Sequence, residues 1–338
     1  MKERMISTYS MWNLFRNCRK AFAWRYLNQL VPLEHDRNLT LGSLIHKGLE
    51  HWHRTRELGA TLELLDRALI HRTHDPDQHR DWQLARAMLQ GYAARYPQED
   101  FTILALEKTF QGKIINPSTG AASRSFTLAG KVDGLVRLGG EFFLLEHKTA
   151  SVIDSSYLEK LWTDFQIILY SYYLEQSLDL PIAGVIYNIL VKARLQQGPG
   201  ETEAEFEARR VELLAKSKTG ITTAKRKVAE TNEAFQERLA AKYADPSMFH
   251  RETIYLSRDQ FTTLRTELWE LTQAYLDARR RGVWYQNTSY CFHYGRPCPY
   301  FAICRSGGSS NVIENLYERR APHEELQDGL ATENVPIF

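Results

Sequence analysis

The 338-residue sequence predicts an α/β fold, with a central mixed sheet flanked by helices, helical insertions and a cysteine-rich C-terminal segment. Three observations lead there. Apolar residues recur at helical spacing through 8–28 and 40–56. Apolar, β-branched runs follow, and the last two, GKVDGLVRL and EFFLLEHKT, are separated only by Gly139-Gly140, a pair that reads as a tight hairpin turn. A further helical stretch and a strand-like run, GVIYNILV at 184–191, complete the alternation.

Taken in order, the first two helices are separated by a loop at Pro32–Arg37, and 60–96 keeps helical spacing broken by the polar THDPDQHRD. Strands are expected at about 102–110, 126–138 and 142–149, with Glu107 at the end of the first apolar run. In SYLEKLWTDFQIILYSYYLEQSL one helix is expected over 156–177. Its buried stripe would be Leu158, Leu161, Trp162, Phe165, Ile168, Leu169 and Tyr172, and Gln166 and Tyr170, four apart, would share one side. Residues 196–247 are rich in Ala, Glu, Lys and Arg and read as an inserted helical arm or a solvated helix pair. Amphipathic helix resumes over 250–282, and the polar stretch 307–338 reads as a loosely held tail to a single domain spanning 1–306.

Composition excludes some classes. No apolar run approaches the roughly 18 residues of a membrane span, and the N-terminal Met-Lys-Glu-Arg-Met-Ile lacks the apolar core of a secretory signal, so a cytoplasmic setting is expected. There is no repeat and no Walker phosphate loop, so the chain is not its own helicase motor. A net charge of +2 announces no nucleic acid, leaving DNA contact to local patches. Candidates are Arg16, Arg19, Lys20 and Arg25, interleaved with Phe15, Phe22, Trp24 and Tyr26; Lys218, Lys225, Arg226 and Lys227; Arg279–Arg281; and Arg251, placed to reach toward phosphate. Each reads equally as a solvated face or packed helix.

The hairpin carries the chemistry. With Gly139 and Gly140 as its loop, Leu138 opposes Glu141 and Asp133 opposes Glu146, with Cβ atoms roughly 4.5–5.5 Å apart. Lys148, two residues on, shares that face. Two carboxylates so placed suit a hard cation, Mg²⁺ or Mn²⁺, and an adjacent ammonium stabilises charge on a phosphate. The plain alternative is an exposed hairpin with a surface Glu–Lys pair.

The order Gly42–His46, Asp133, Glu146-His147-Lys148, Gln166–Tyr170 resembles the GxxxH, D, ExK and QxxxY motifs of the PD-(D/E)XK nuclease superfamily, in particular its RecB-like branch. That branch includes nuclease domains of bacterial helicase–nucleases and the CRISPR-associated iron–sulfur exonucleases. The resemblance covers roughly 8–192, and Val132 stands where the family pattern carries Pro. It implies a restriction-endonuclease-like core in which His46, Asp133, Glu146 and the His147 main-chain carbonyl hold the metal. Lys148 would be the catalytic lysine, with Gln166 and Tyr170 positioning the site or the nucleic acid; His51 and His53 compete with His46 for the ligand role. It further implies a Mg²⁺- or Mn²⁺-dependent deoxyribonuclease, of exonuclease type, acting on DNA in repair, recombination or phage and CRISPR processing beside a helicase, recombination or replication partner. A catalytically inactive binding scaffold and a structural zinc protein are the alternatives.

The four cysteines are Cys18 in FRNCRKAFAWRY and Cys291, Cys298 and Cys304 in SYCFHYGRPCPYFAIC. One early and three late resembles the RecB-like subgroup whose cysteines hold a [4Fe–4S] cluster. Here six residues separate Cys291 from Cys298, where the subgroup pattern has two. Four thiolates suit either an iron–sulfur cluster or tetrahedral zinc. Either would latch the C-terminal segment to the first helix.

Overall fold

The computed structural model describes residues 4–33, 37–70, 76–293, 295–323 and 326. After β1 (Met5–Ser7), Thr8 caps α1 (Tyr9–Asn17) by accepting from the Met11 N–H. Next come α2 (Arg19–Phe22), β2 (Leu30–Pro32), α3 (Arg37–Thr55), α4 (Leu58–Ile70) and α5 (Pro76–Arg95). The sheet segment holds β3 (Thr102–Ile115), β4 (Ala122–Leu138) and β5 (Glu141–Ala150), followed by α6 (Ser155–Leu161), α7 (Phe165–Leu178) and β6 (Ile182–Val191). Then come α8 (Glu203–Lys216), α9 (Asn232–Tyr243), β7 (Phe249–Tyr255) and α10 (Arg258–Arg281). The C-terminal segment carries β8 (Phe292–His293), β9 (Arg296–Pro297), α11 (Phe301–Arg305), α12 (Ser310–Leu316) and β10 (Tyr317–Arg319).

The long strand β4 organises a mixed sheet. β3 lies antiparallel along one side, while on the other β1 runs parallel to its first half and β5 antiparallel to its second. β6 is parallel to β5, and β7 is antiparallel to β6. Neighbouring residues of a strand point to opposite faces, so Ile189 and Leu190 divide two cores. Ile189 belongs with the aromatic cluster of Trp12, Phe15, Phe126 and Tyr275 and with α7 and α10. Leu190 belongs with Ile45, Leu49, Met88, Tyr92 and Phe235 of α3, α5 and α9. The expected α/β layout, a central mixed sheet between helices, is the one observed. No helix among the described residues is long and apolar enough to cross a membrane.

Four sequence expectations are corrected. The helix expected over 156–177 is broken, because Asp164 caps a new helix by accepting from the Gln166 N–H at 3.0 Å. The buried apolar residues of α7 are Ile167, Leu169, Tyr170, Tyr173 and Leu174, so Leu161 and Leu169 of the expected stripe are buried while Trp162 is 50% exposed. Residues 249–255, read as the start of a helix, pair with β6 as an edge strand. Only part of 196–247 projects as an arm, since Phe235, Leu239 and Tyr243 of α9 are core residues. Finally, the tail is not loose up to residue 319: β10 pairs with β2 and Tyr317 is buried. Residues 324–325 and 327–338 of that tail, 34–36 of the first loop and 73–75 of the polar break lie outside the described residues.

Candidate active site

Gly139 and Gly140 take φ of +58° and +91°, a conformation that glycine adopts without penalty, and they make the turn. Register runs as expected from Leu138↔Glu141 to Gly134↔Leu145. There the two strands part. β5 stays paired with β6 on its other edge throughout, Glu146, His147 and Lys148 opposing Tyr187, Asn188 and Ile189, and on the β4 side Asp133 spans the gap with its side chain, Oδ2 accepting from the His147 N–H at 2.8 Å. The expected direct opposition of Asp133 and Glu146 is thus replaced by a fork in the sheet with one carboxylate on each prong.

Glu107 also faces this fork. It falls between the ladder pairs Leu106↔Gly134 and Lys108↔Val132, across from Asp133, with φ at +50°. A non-glycine residue held there costs on the order of 1 kcal/mol. Its carboxylate is ion-paired with Lys131, and burial raises its pKa. Sequence reasoning gave Glu107 no role; its position opposite Asp133 depends on a β3 register that no short-range signal sets.

Helix α3 brings His46 over Asp133, its Nδ1–H donating to Oδ1 at 3.1 Å. A Cβ at Gly42, one turn earlier, would meet nothing within 4 Å, so packing does not explain that glycine. The two rival histidines are engaged elsewhere. His51 bonds Thr61 at 2.8 Å, and the fully buried His53 lies 3.7 Å from Glu99 and stacks on the His147 ring.

Lys148 sits at the centre of the other half. Its Nζ donates to Glu146 Oε1 at 2.6 Å and to Gln166 Oε1 at 3.3 Å, and lies 3.9 Å from Asp164 Oδ2. One turn on, Tyr170 is buried on the same helix. Gln166 therefore acts as a strut for the lysine.

Electrostatics follow from this burial. Desolvation pushes the Glu146 carboxyl well above the usual carboxylate range, and Lys148 offsets only part of that. Burial opposes the charge on Lys148, but Glu146 and Asp164 more than overcome it and keep the ammonium protonated. Burial also works against Asp133, yet His46 and the His147 N–H hold it below its ordinary value. His46 is raised in turn, because Asp133 outweighs its own desolvation. Among the described residues, no three His, Cys, Asp or Glu side chains stand as a ready metal-binding group. The donor chemistry nevertheless fits a hard cation: a buried carboxylate short of positive charge beside a second carboxylate and an imidazole.

The thiols expected to share a cofactor lie in one region of the fold but do not stand as a ready metal-binding group. Cys18, Cys291, Cys298 and Cys304 line one pocket with Tyr290 and Tyr300, and all four are free. N–H groups point at the sulfurs: Asn287 N–H at 3.5 Å from Cys18 Sγ and the Gln286 amide at 3.2 Å from Cys291 Sγ. Such donors suit a bound cluster. Burial pushes the Cys298 thiol up to about 11 and raises Cys304, where Trp24 and Lys20 offset it only in part. The first helix is joined to this segment by Lys20 N–H to Tyr285 O at 3.0 Å and Asn287 Nδ2 to Asn17 O at 2.8 Å.

The cations expected to touch nucleic acid are placed differently. Arg251 turns inward, 2.8 Å from Glu99 and 4.0 Å over the Tyr96 ring. Its charge is matched inside the fold, so the reach toward phosphate does not fit its position. Arg16 stacks on Phe165, Arg19 lies against both Phe15 and Tyr285, and Lys20 covers Trp24. The aromatic residues between these cations are core or cation–π partners; Phe15 and Phe22 are fully buried.

A restriction-endonuclease-like α/β core with two acids and a lysine at a forked hairpin defines a nuclease class. The family model of the PD-(D/E)XK nuclease superfamily matches residues 7–305, and the chain belongs to that superfamily. Its members are typically metal-dependent nucleases acting on DNA, generally with Mg²⁺ or Mn²⁺. A search of curated proteins finds no match.

Proposed function

We propose that this protein is a Mg²⁺- or Mn²⁺-dependent deoxyribonuclease of the RecB-like branch that hydrolyses DNA as an exonuclease, from ends or single strands. One observation carries the reading. Asp133 from β4, Glu146 and Lys148 from β5, Gln166 from α7 and His46 from α3 converge on one largely buried patch. A cation held there by Asp133, Glu146, His46 and the His147 carbonyl would supply Lewis-acid polarisation of the phosphoryl oxygen and a more acidic water.

The chain's own residues do the rest. Lys148, kept protonated by its acidic neighbours, offsets negative charge growing on the phosphate. Gln166 fixes its Nζ, with Tyr170 buried one turn along the same helix, so little reorganisation is needed at the moment of reaction. The His147 N–H and His46 aim the Asp133 carboxylate. By analogy with the family, the 3′ oxygen leaves and the product carries a 5′ phosphate. A cytoplasmic role in repair, recombination or phage and CRISPR DNA processing, beside a helicase or replication partner, belongs to the same reading.

For the thiols we propose a [4Fe–4S] cluster held by Cys18, Cys291, Cys298 and Cys304. It would serve as a structural latch, because closing a loop that long by a metal group stabilises the native state. A brown charge-transfer spectrum after anaerobic purification supports this assignment, whereas a colourless protein with stoichiometric zinc replaces it. The nuclease reading is tested with end-labelled linear, circular and gapped DNAs in Mg²⁺ or Mn²⁺. Metal-dependent loss of label that disappears in Lys148→Ala supports it. Digestion of closed circles as fast as linear strands removes the exonuclease assignment, and no digestion by wild type leaves a binding scaffold.

A further inference from the structure

Beyond Lys148 the chain leaves the sheet beside a cavity of about 310 Å³. Ser151, three residues past Lys148, and Leu41, five before His46, belong to its wall. Three residues of extended chain span about 10 Å, close to three stacked nucleotides of one strand. The rest of the lining is unusual for a chain of net charge +2: Arg80, Lys192, Arg194 and Arg296 surround it, with Gln196 and a single acid, Asp81, itself buried. Lys192 N–H donates to Ala150 O at 2.8 Å, and Arg80 holds the Leu195 carbonyl at 3.3 Å. The basic segment 192–196 is thereby fixed at the end of the catalytic strand.

Arg296 comes from far away in sequence. It lies on the hairpin β8–β9, where Phe292 pairs with Pro297 and His293 with Arg296. Gly295 takes φ of +74° in the turn. This hairpin is the six-residue stretch between Cys291 and Cys298. The atypical spacing that sets these cysteines apart from the resembling subgroup thus has a physical product, a finger that carries a guanidinium from the thiol segment to the cavity.

We propose that this cavity holds the sugar–phosphate backbone of a single nucleic-acid strand on its way to the nuclease site, with Arg296 on the inter-cysteine hairpin closing it opposite Arg194. The proposal rests on the nuclease reading and adds the strand's path to it. Guanidinium groups present several donors to phosphate oxygens. A cavity of this size, lined from two sides, takes one strand's backbone and not a duplex. Arg194 and Arg296 are exposed, so replacing them does not threaten the core.

The test uses the full chain with its thiol cofactor and a fluorescein-labelled single strand in chelator, read by anisotropy across a salt series. In Arg194→Ala/Arg296→Ala the dissociation constant should rise at least tenfold. The slope of log affinity against log salt should fall by about 1.4, two phosphate contacts at roughly 0.7 each for a single strand. Arg296→Lys should restore much of the loss carried by that position, and Arg124→Ala, near the start of β4, should change neither quantity. Unchanged affinity and slope in the double variant overturn the proposal, as does an equal loss with a blunt duplex of the same sequence. Metal-dependent cleavage of a p-nitrophenyl phosphodiester by wild type, measured in parallel, reports on the nuclease reading alone. If that cleavage is absent while strand affinity still falls in the double variant, the nuclease reading fails and the strand path stands.

Discussion

The forked hairpin and the thiol pocket are both assembled from residues far apart in sequence, yet they reach opposite electrostatic states. At the fork each carboxylate already has a cation at bonding distance, Lys148 on Glu146 at 2.6 Å and His46 on Asp133 at 3.1 Å. In the pocket Cys18 and Cys291 meet neutral N–H donors, Cys304 feels the charge of Lys20, and burial drives Cys298 away from its thiolate form. A site whose groups are already ion-paired, even with Glu146 still raised by burial, keeps its shape while a cation and a substrate come and go. A site of buried, unbalanced thiols gains most from a permanently held metal group. The same chain therefore carries one site suited to turnover and one suited to holding.

That contrast is broken or sharpened by experiment. The largest effect should come from Lys148→Ala, with cleavage of labelled DNA falling by about 10³-fold. A loss of less than tenfold would mean that the fork is not the reacting centre. Gln166→Ala removes the strut and leaves the ammonium in place. It should lower kcat by about 10–100-fold with little change in KM, read by steady-state kinetics beside the Tyr170→Phe variant.

At the thiol pocket the expected readout is stability. Cys18→Ser or Cys298→Ser should abolish the cofactor's absorbance and lower the melting temperature by about 5–10 °C. An unchanged melting temperature with full cofactor content would remove the latch. The smallest effect concerns His53, which burial depresses to about 2 and keeps neutral in the fold. The unfolded chain binds this proton below about pH 6.5 and the folded chain does not. Stability present above that pH is therefore lost as pH falls toward the folded value, by about 1.4 kcal/mol per pH unit. Denaturant melts between pH 7 and 5 should show this slope reduced by one proton in His53→Asn.

Much of the geometry of the candidate site was legible because its signals are short-range. A Gly-Gly turn sets hairpin register, and period-two alternation then puts Glu146 and Lys148 on one face. Helical spacing similarly joined Gln166 to Tyr170. The features that were missed depend on partners distant in the chain. The fork arises where β4 leaves β5 after Gly134↔Leu145 while β5 stays paired with β6 on its other edge, and nothing in the hairpin itself announces β6. Arg251 could not be told from a phosphate ligand until Glu99 was found 2.8 Å away. The long helix was expected because apolar spacing was weighed without Asp164, whose capping bond starts a second helix and turns a different face inward.

Taken alone, the amino-acid order determined the class of fold, the hairpin, the motif residues and the presence of a thiol set, because each follows from local conformation or from side-chain chemistry. Tertiary packing decided which carboxylate meets which cation, where Glu107 and Arg251 point, and that a widened cysteine spacing becomes a hairpin bearing Arg296. The physical reason is that those outcomes are set by desolvation and by contacts between strands and helices whose proximity exists only once the chain has closed upon itself.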